Sequence, residues 1–246
     1  MFSHRALLGD LNRLSRLLIV AVAATASFAA NAAPVLGQGN WETTLLARDI
    51  NGDNIVDAYY DTALDLTWLA DWNVNGRQHW STNLAWASGL DVYGVTGWRL
   101  PSITDTGSPG CDWSYAGGTD CGYNVDTGSS EMAHMWYVTL GNIAYCQPGY
   151  NRCIGPPPHW GLTNTADFLN MESIGYWSGT EATPSTNGAW YFSLNDGDQG
   201  IDGPNGELRA VAVRDGDVAA MPEPATFALL GLGLVGITAS RRRRLS

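Results

Sequence analysis

The chain is expected to fold as an α+β domain, and three observations carry that expectation. β-Prone runs rich in Trp, Tyr, Val and Leu cluster near residues 45–72 and again near 174–218, each broken by Gly, Asp and Asn. Two stretches between them, around residues 79–90 and 129–142, switch to helical spacing. Strands at both ends with helices in the middle favour α+β over an alternating parallel-sheet fold.

Taken in order, "LLARDINGDNIVDAYYD" places apolar residues on either side of Asn51-Gly52, a pair that supplies the positive φ angles of a hairpin turn. "LDLTWLADW" continues as a strand. "HWSTNLAWASGL" sets Trp80, Leu84 and Ala87 on one stripe, with Ser81 as a start signal and Gly89 as a stop. "GVTGWRLPS" is a strand or tight connector, because Pro101 disfavours helix at Leu100. The Gly-, Ser- and Asp-dense residues 104–126 read as a loop. "SSEMAHMWYVTLGN" gives a second helix with Met132, Met135, Trp136 and Leu140 on one face, Ser129 or Ser130 as cap and Gly141 as terminator. "CQPGYNRCIGPPPHW" carries too many prolines for regular structure. "GYWSGTE", "GAWYFSLN" and "LRAVAVRDGDV" then read as three antiparallel strands.

Both ends are segments of a different kind. Arg5, Arg13 and Arg16 precede an apolar run from Leu17 to Ala30 and the small residues Ala30, Asn31 and Ala32, the order of a secretory signal peptide spanning residues 1–32. At the other end Pro222, Glu223 and Pro224 introduce an apolar stretch, residues 225–240, expected to be a transmembrane helix, and Arg241, Arg242, Arg243 and Arg244 follow it. An arginine cluster stays on the cytoplasmic side and leaves the preceding chain outside. Residues 33–221 are therefore expected to be one exported domain.

The chain has 246 residues and a formal net charge of −11, and it contains no lysine. Only Asp10 and Glu223 of its acids lie outside residues 33–221, whereas seven of the 13 basic residues do, so the middle is more acidic still. Such a surface repels nucleic acid and sulfated polymers, and the absence of lysine excludes a Walker-type phosphate loop. Four cysteines, Cys111, Cys121, Cys146 and Cys153, fall in the exported part. Three disulfide pairings are open; Cys111 with Cys121 and Cys146 with Cys153 is favoured, because each pair brackets one short Gly- or Pro-rich loop.

Candidate chemistry is sparse. "DINGDNIVD" offers Asp49, Asn51, Asp53 and Asp57 at the oxygen-ligand offsets of a calcium loop, although its glycine comes early and Tyr60 stands where a bidentate glutamate belongs. Asp196, Asp198, Asp202 and Glu207 make a second acidic loop. Glu131 and His134 share a helical face, but no second such pair completes a carboxylate-bridged metal site. No G-x-S-x-G elbow is present. An Asp/Glu pair for glycoside hydrolysis remains the rival to a non-enzymatic reading, since carboxylates are numerous.

The tail resembles the PEP-CTERM sorting domain of exopolysaccharide-producing Gram-negative bacteria. That resemblance implies a transient inner-membrane anchor with its C-terminus cytoplasmic, recognised and removed by an exosortase, and a mature protein at the cell surface or in the extracellular matrix. In the middle, "LDLTWLADW", "GWRLPS", "GTDCGYN", "GYWSGTE", "GAWYF" and "AVAVRDGD" resemble an exported domain family related to the C-terminal domain of bacterial collagen-like adhesins. This implies a C-type-lectin-like fold and an extracellular scaffold with surface or polysaccharide binding; the chain is expected to be a non-enzymatic module. "GWRLPS" is also similar to a block of formylglycine-generating enzymes, but Ser102, Ile103 and Thr104 replace its functional continuation.

Overall fold

The structure is a computed structural model that describes residues 34–106, 118, 120–150, 152–182, 188–203 and 205–218. The signal segment 1–32, the tail 222–246 and Cys111 lie outside the described residues. Among the described residues no helix is long and apolar enough to cross a membrane.

A short helix α1 (Trp41–Thr44) leads into β1 (Leu45–Arg48), which pairs antiparallel with β2 (Ala58–Asp61) from Leu45↔Asp61 to Arg48↔Ala58. The expected hairpin is present, but its connection is the whole of residues 49–57 and not a two-residue turn at Asn51-Gly52. The reason is local: Asp49 accepts three backbone N–H groups, Gly52 at 2.7 Å, Asp53 at 3.2 Å and Asn54 at 2.6 Å, so the loop winds around one carboxylate. β3 (Leu66–Leu69) adds to β2, and β8 (Val213–Asp215), from the far end of the domain, adds to β3. The first sheet therefore has the order β1-β2-β3-β8, all antiparallel.

α2 (Trp80–Ser88) lies where its spacing predicts, with Ala87 fully buried and Trp80 and Leu84 packed against the core. Ser81 does not cap it; the cap position is His79, which makes no side-chain capping bond. The second helical stretch begins as α3 (Glu131–Ala133), with Ser130 Oγ accepting from Ala133 N, then widens into a π-helical segment, His134–Thr139. Met132, Met135, Trp136 and Leu140 are all completely buried. Gly141, at φ 67°, ends the turn in van der Waals contact with Gly39: a Cβ on Gly141 would sit 2.4 Å from the Gly39 nitrogen. Only paired glycines permit that backbone crossing.

The second sheet has the order β4-β7-β6-β5, from β4 (Gly122–Tyr123), β5 (Gly175–Glu181), β6 (Ala189–Ser193) and β7 (Asp198–Asp202). β7 corrects the sequence reading, which takes these acids as a calcium-type loop. Gln199 and Gly200 are buried, and a Cβ on Gly200 would meet the Tyr191 hydroxyl at 3.0 Å, so the glycine is there to seat the neighbouring ring. Residues 90–101 form bridges and turns without a regular strand, with Trp98 and Leu100 pointing into the core.

Residues 208–215 join the two sheets. Trp177 N donates to Arg209 O at 2.8 Å, Leu69 N to Ala212 O at 3.0 Å, and Arg99 and Val213 exchange bonds at 2.8 Å. Ala210, Val211, Ala212 and Val213 are buried on both sides, which explains the unbroken apolar run of small residues in this segment. Around it the core is aromatic: Trp68, Trp72 and Trp177 from the β-prone runs and Trp136 from the second helical stretch are completely buried, and Trp190 is buried in a smaller neighbouring cluster.

Candidate functional site

Where β2 and β3 meet the segment after α2, the surface opens into a groove of about 380 Å³. Its floor is Leu69, Ala70 and Val92, and its rim carries Asp57, Asp71, Asp91 and Tyr93. Leu169 closes one side, held there because Leu169 N donates to Ala70 O at 2.8 Å and Trp72 N donates to Leu169 O at 2.9 Å.

Tyr93 is positioned by a two-residue hairpin turn: Val92 and Val95 exchange backbone bonds at 3.0 and 2.9 Å, while Tyr93 (φ 52°) and Gly94 (φ 88°) both adopt positive φ. A tyrosine in the left-handed region costs about 1 kcal/mol or more, and the residue is 57% exposed, so extensive burial does not offset that cost. Asp91 and Asp57 are each fixed by one backbone bond, and Asp71 by two bonds, one to each oxygen. Asp91 Oδ1 accepts from Gly94 N at 2.6 Å, Asp57 Oδ2 from Ile50 N at 2.8 Å, and Asp71 Oδ1 and Oδ2 from Asn73 N and Asn170 Nδ2. An exposed ring beside carboxylate acceptors over an apolar floor can stack on the C–H face of a sugar while taking hydrogen bonds from its hydroxyls.

Of the sequence candidates, Asp57 lines this groove. Asp49, Asn51 and Asp53 lie on the preceding loop, where Asn51 Nδ2 donates to Asp53 Oδ2 at 2.9 Å and Ile55 N to Asp53 Oδ1 at 2.8 Å. Their oxygens are thus engaged by the loop's own N–H groups. Among the described residues no group of three or more His, Cys, Asp or Glu side chains is arranged to hold a metal ion. Glu131 is likewise engaged: Arg99 grips it bidentately at 2.8 Å on both nitrogens and also reaches Asp215, and these bonds, Glu131 first, raise the guanidinium's pKa. Cys146 and Cys153 are joined at 2.09 Å, and Cys121 is disulfide-bonded.

Burial raises the pKa of two carboxylates, and neither lines the groove. Burial raises Asp61, which Ala63 N, Leu64 N and Thr139 Oγ1 hold in the core. Burial, followed by the charge of Asp196, pushes Asp198 up to about 6. Its folded pKa exceeds the unfolded value, so the fold favours the protonated form; that stabilisation is complete below the unfolded pKa and is lost as pH rises through about 6. Asp198→Asn is therefore expected to leave stability unchanged at about pH 4 and to raise it by on the order of 2 kcal/mol at about pH 8, read from urea melts at the two pH values.

Sequence reasoning did not single out Tyr93, Asp71, Asp91 or Leu169. The available signal was Tyr93-Gly94 between two valines, a two-residue turn with a large ring at its tip.

The tail defines how the protein is delivered: this is an exported chain, anchored transiently in a membrane and processed by an exosortase-type enzyme. Residues 222–244 match the PEP-CTERM protein-sorting motif. No curated protein and no solved structure matches the chain.

Proposed function

We propose that the chain is a non-enzymatic cell-envelope or exopolysaccharide-matrix protein whose exported domain has C-type-lectin-like architecture and binds polysaccharide in the Tyr93 groove. The architecture is supported by one sheet that unites the first strands of the domain with its last, β1-β2-β3-β8, and by the loop-rich middle. The observation that carries the binding role is Tyr93 itself, an exposed aromatic ring held at positive φ above an apolar floor and three aspartates. Those carboxylates repel acidic polymers, so neutral or amino sugars are the expected class.

The test is isothermal titration with a panel of neutral, amino and uronic-acid polysaccharides. Tyr93→Ala is expected to weaken binding about tenfold, the equivalent of ~1.4 kcal/mol, without loss of stability, because alanine at this φ is no more strained than tyrosine. Unchanged affinity in that variant would overturn the assignment. Release of reducing ends during the titration would favour the rival reading, a glycan hydrolase using an Asp/Glu pair.

A further inference from the structure

We infer that the Tyr93 groove selects sugars carrying a free, charged amine over neutral and N-acetylated sugars. The inference rests on the sugar reading of that groove and narrows it by charge and by hydrogen-bond inventory. Three carboxylates, Asp57, Asp71 and Asp91, line the groove, and among the described residues no basic side chain does. Elsewhere the fold brings arginines to its acids: Arg48 pairs with Asp217, Arg99 with Glu131 and Asp215, and Arg209 with Glu172. Among the described residues no ion pair reaches the three groove aspartates, and the chain has no lysine to supply one. Asp57 and Asp91 each commit one oxygen to a backbone N–H, from Ile50 at 2.8 Å and from Gly94 at 2.6 Å, and the other oxygen of each accepts nothing from the described residues. The negative charge over the groove is therefore left for a ligand to balance, and the apolar floor beside it focuses that field outward.

The lining side chains point to the same ligand. Apart from Tyr93, whose hydroxyl can donate, they are apolar or carboxylate. An N-acetyl group brings a carbonyl that needs a donor and finds only the Tyr93 hydroxyl among these side chains. An ammonium brings several N–H donors and a full charge to a set of acceptors. The exposed Tyr93 ring attracts the same cation to its π-face and packs against the C–H bonds of the sugar. Val74 and Leu169, both exposed at this groove, offer the pyranose ring further apolar contact, which a bare small cation would not use.

The test is isothermal titration of the full chain, purified with its tail in detergent, with a chito-oligosaccharide carrying free amines and with the same oligosaccharide fully N-acetylated. The two share a backbone and differ in charge. The free-amine form is expected to bind about tenfold tighter at low salt, in line with about three partly exposed charge pairs, and to lose most of that advantage in about 0.5 M salt. Asp57→Asn combined with Asp91→Asn retains both backbone bonds, because the amide oxygen still accepts. It is expected to cut the preference to about twofold and to leave affinity for the acetylated form nearly unchanged. Asp91→Asn alone, at an exposed turn, keeps the test decisive if the pair does not fold, with about a threefold loss of preference. Glu181→Gln combined with Asp126→Asn removes as much charge from exposed positions outside the groove and leaves the preference intact. No binding of the free-amine form, equal affinity for the two forms, an undiminished preference in the groove variants, or an equal loss in the outside control would each overturn the inference. So would full competition by a lysine oligomer, which points to a basic peptide. A neutral polysaccharide whose binding is lost in Tyr93→Ala would, beside any of these results, keep the groove as a sugar site and remove only its charge selectivity.

Discussion

Replacing Trp72 by alanine is expected to remove about 3–5 kcal/mol of folding free energy, a large share of the ~5–15 kcal/mol that a domain of this size possesses. Trp72 is fully buried and stacks on Trp68 with centroids 5.6 Å apart and planes within 5° of parallel. Phe168 and Tyr176 meet it edge-on at 5.3 and 5.5 Å. Alanine therefore strips three aromatic partners at once and leaves a void that rigid rings cannot refill. Trp72→Phe separates packing from polarity. The indole nitrogen has no hydrogen-bond partner, so phenylalanine sheds an unsatisfied donor while keeping most of the ring, and the loss is expected to stay below about 1.5 kcal/mol. Denaturant melts of both variants check this: the midpoint for Trp72→Ala falls sharply at constant slope, and the midpoint for Trp72→Phe moves little. The residue before it, Asp71, is on the rim of the groove, so the alanine variant also loses whatever binds there.

The second large effect lies in the tail. Substituting Arg241, Arg242, Arg243 and Arg244 by glutamine is expected to cut the processed fraction of the exported protein about tenfold, or ~1.4 kcal/mol of topological preference. Were the apolar stretch 225–240 helical it would reach about 24 Å, short of a ~30 Å hydrocarbon layer, and the arginine cluster would be the main feature opposing its translocation. Without them the segment slips across, and full-length protein accumulates beyond the membrane with its tail attached. Intact mass of the protein recovered from membrane and medium distinguishes the two forms. Arg152→Gln, in the exported domain, serves as the control and leaves the ratio unchanged.

The sequence was most informative where local chemistry and tertiary packing agree. Ser130 caps α3 and Gly141 ends the segment, as their positions predict, because each acts on the nearest turn of backbone. The pairing of β1 with β2 was legible from hydrophobic pattern, and so were the runs that became β5 and β6. What stayed hidden depends on partners far along the chain. β7 looks like a turn because Asp198, Gly200 and Asp202 are turn residues. They form a strand only because β6 and β4 flank them and Tyr191 needs the space above Gly200. The π-helical widening after α3 has no local signature at all. The groove was illegible for the same reason: its walls come from residues 56–57, 69–71, 90–93 and 169, and only the bridge between Asp71 and Leu169 closes them into one site.

The position of β8 sets an order on biogenesis. The strand that completes the first sheet ends at Asp215, seven positions before the sorting motif begins at residue 222. Until that strand has emerged, β3 has an open edge and the two sheets have no central segment to hold them together. If the chain is threaded out from its N-terminus, that sheet can close only once nearly everything ahead of the sorting motif has crossed. In that case sheet closure and presentation of the tail to its processing enzyme fall close together in time.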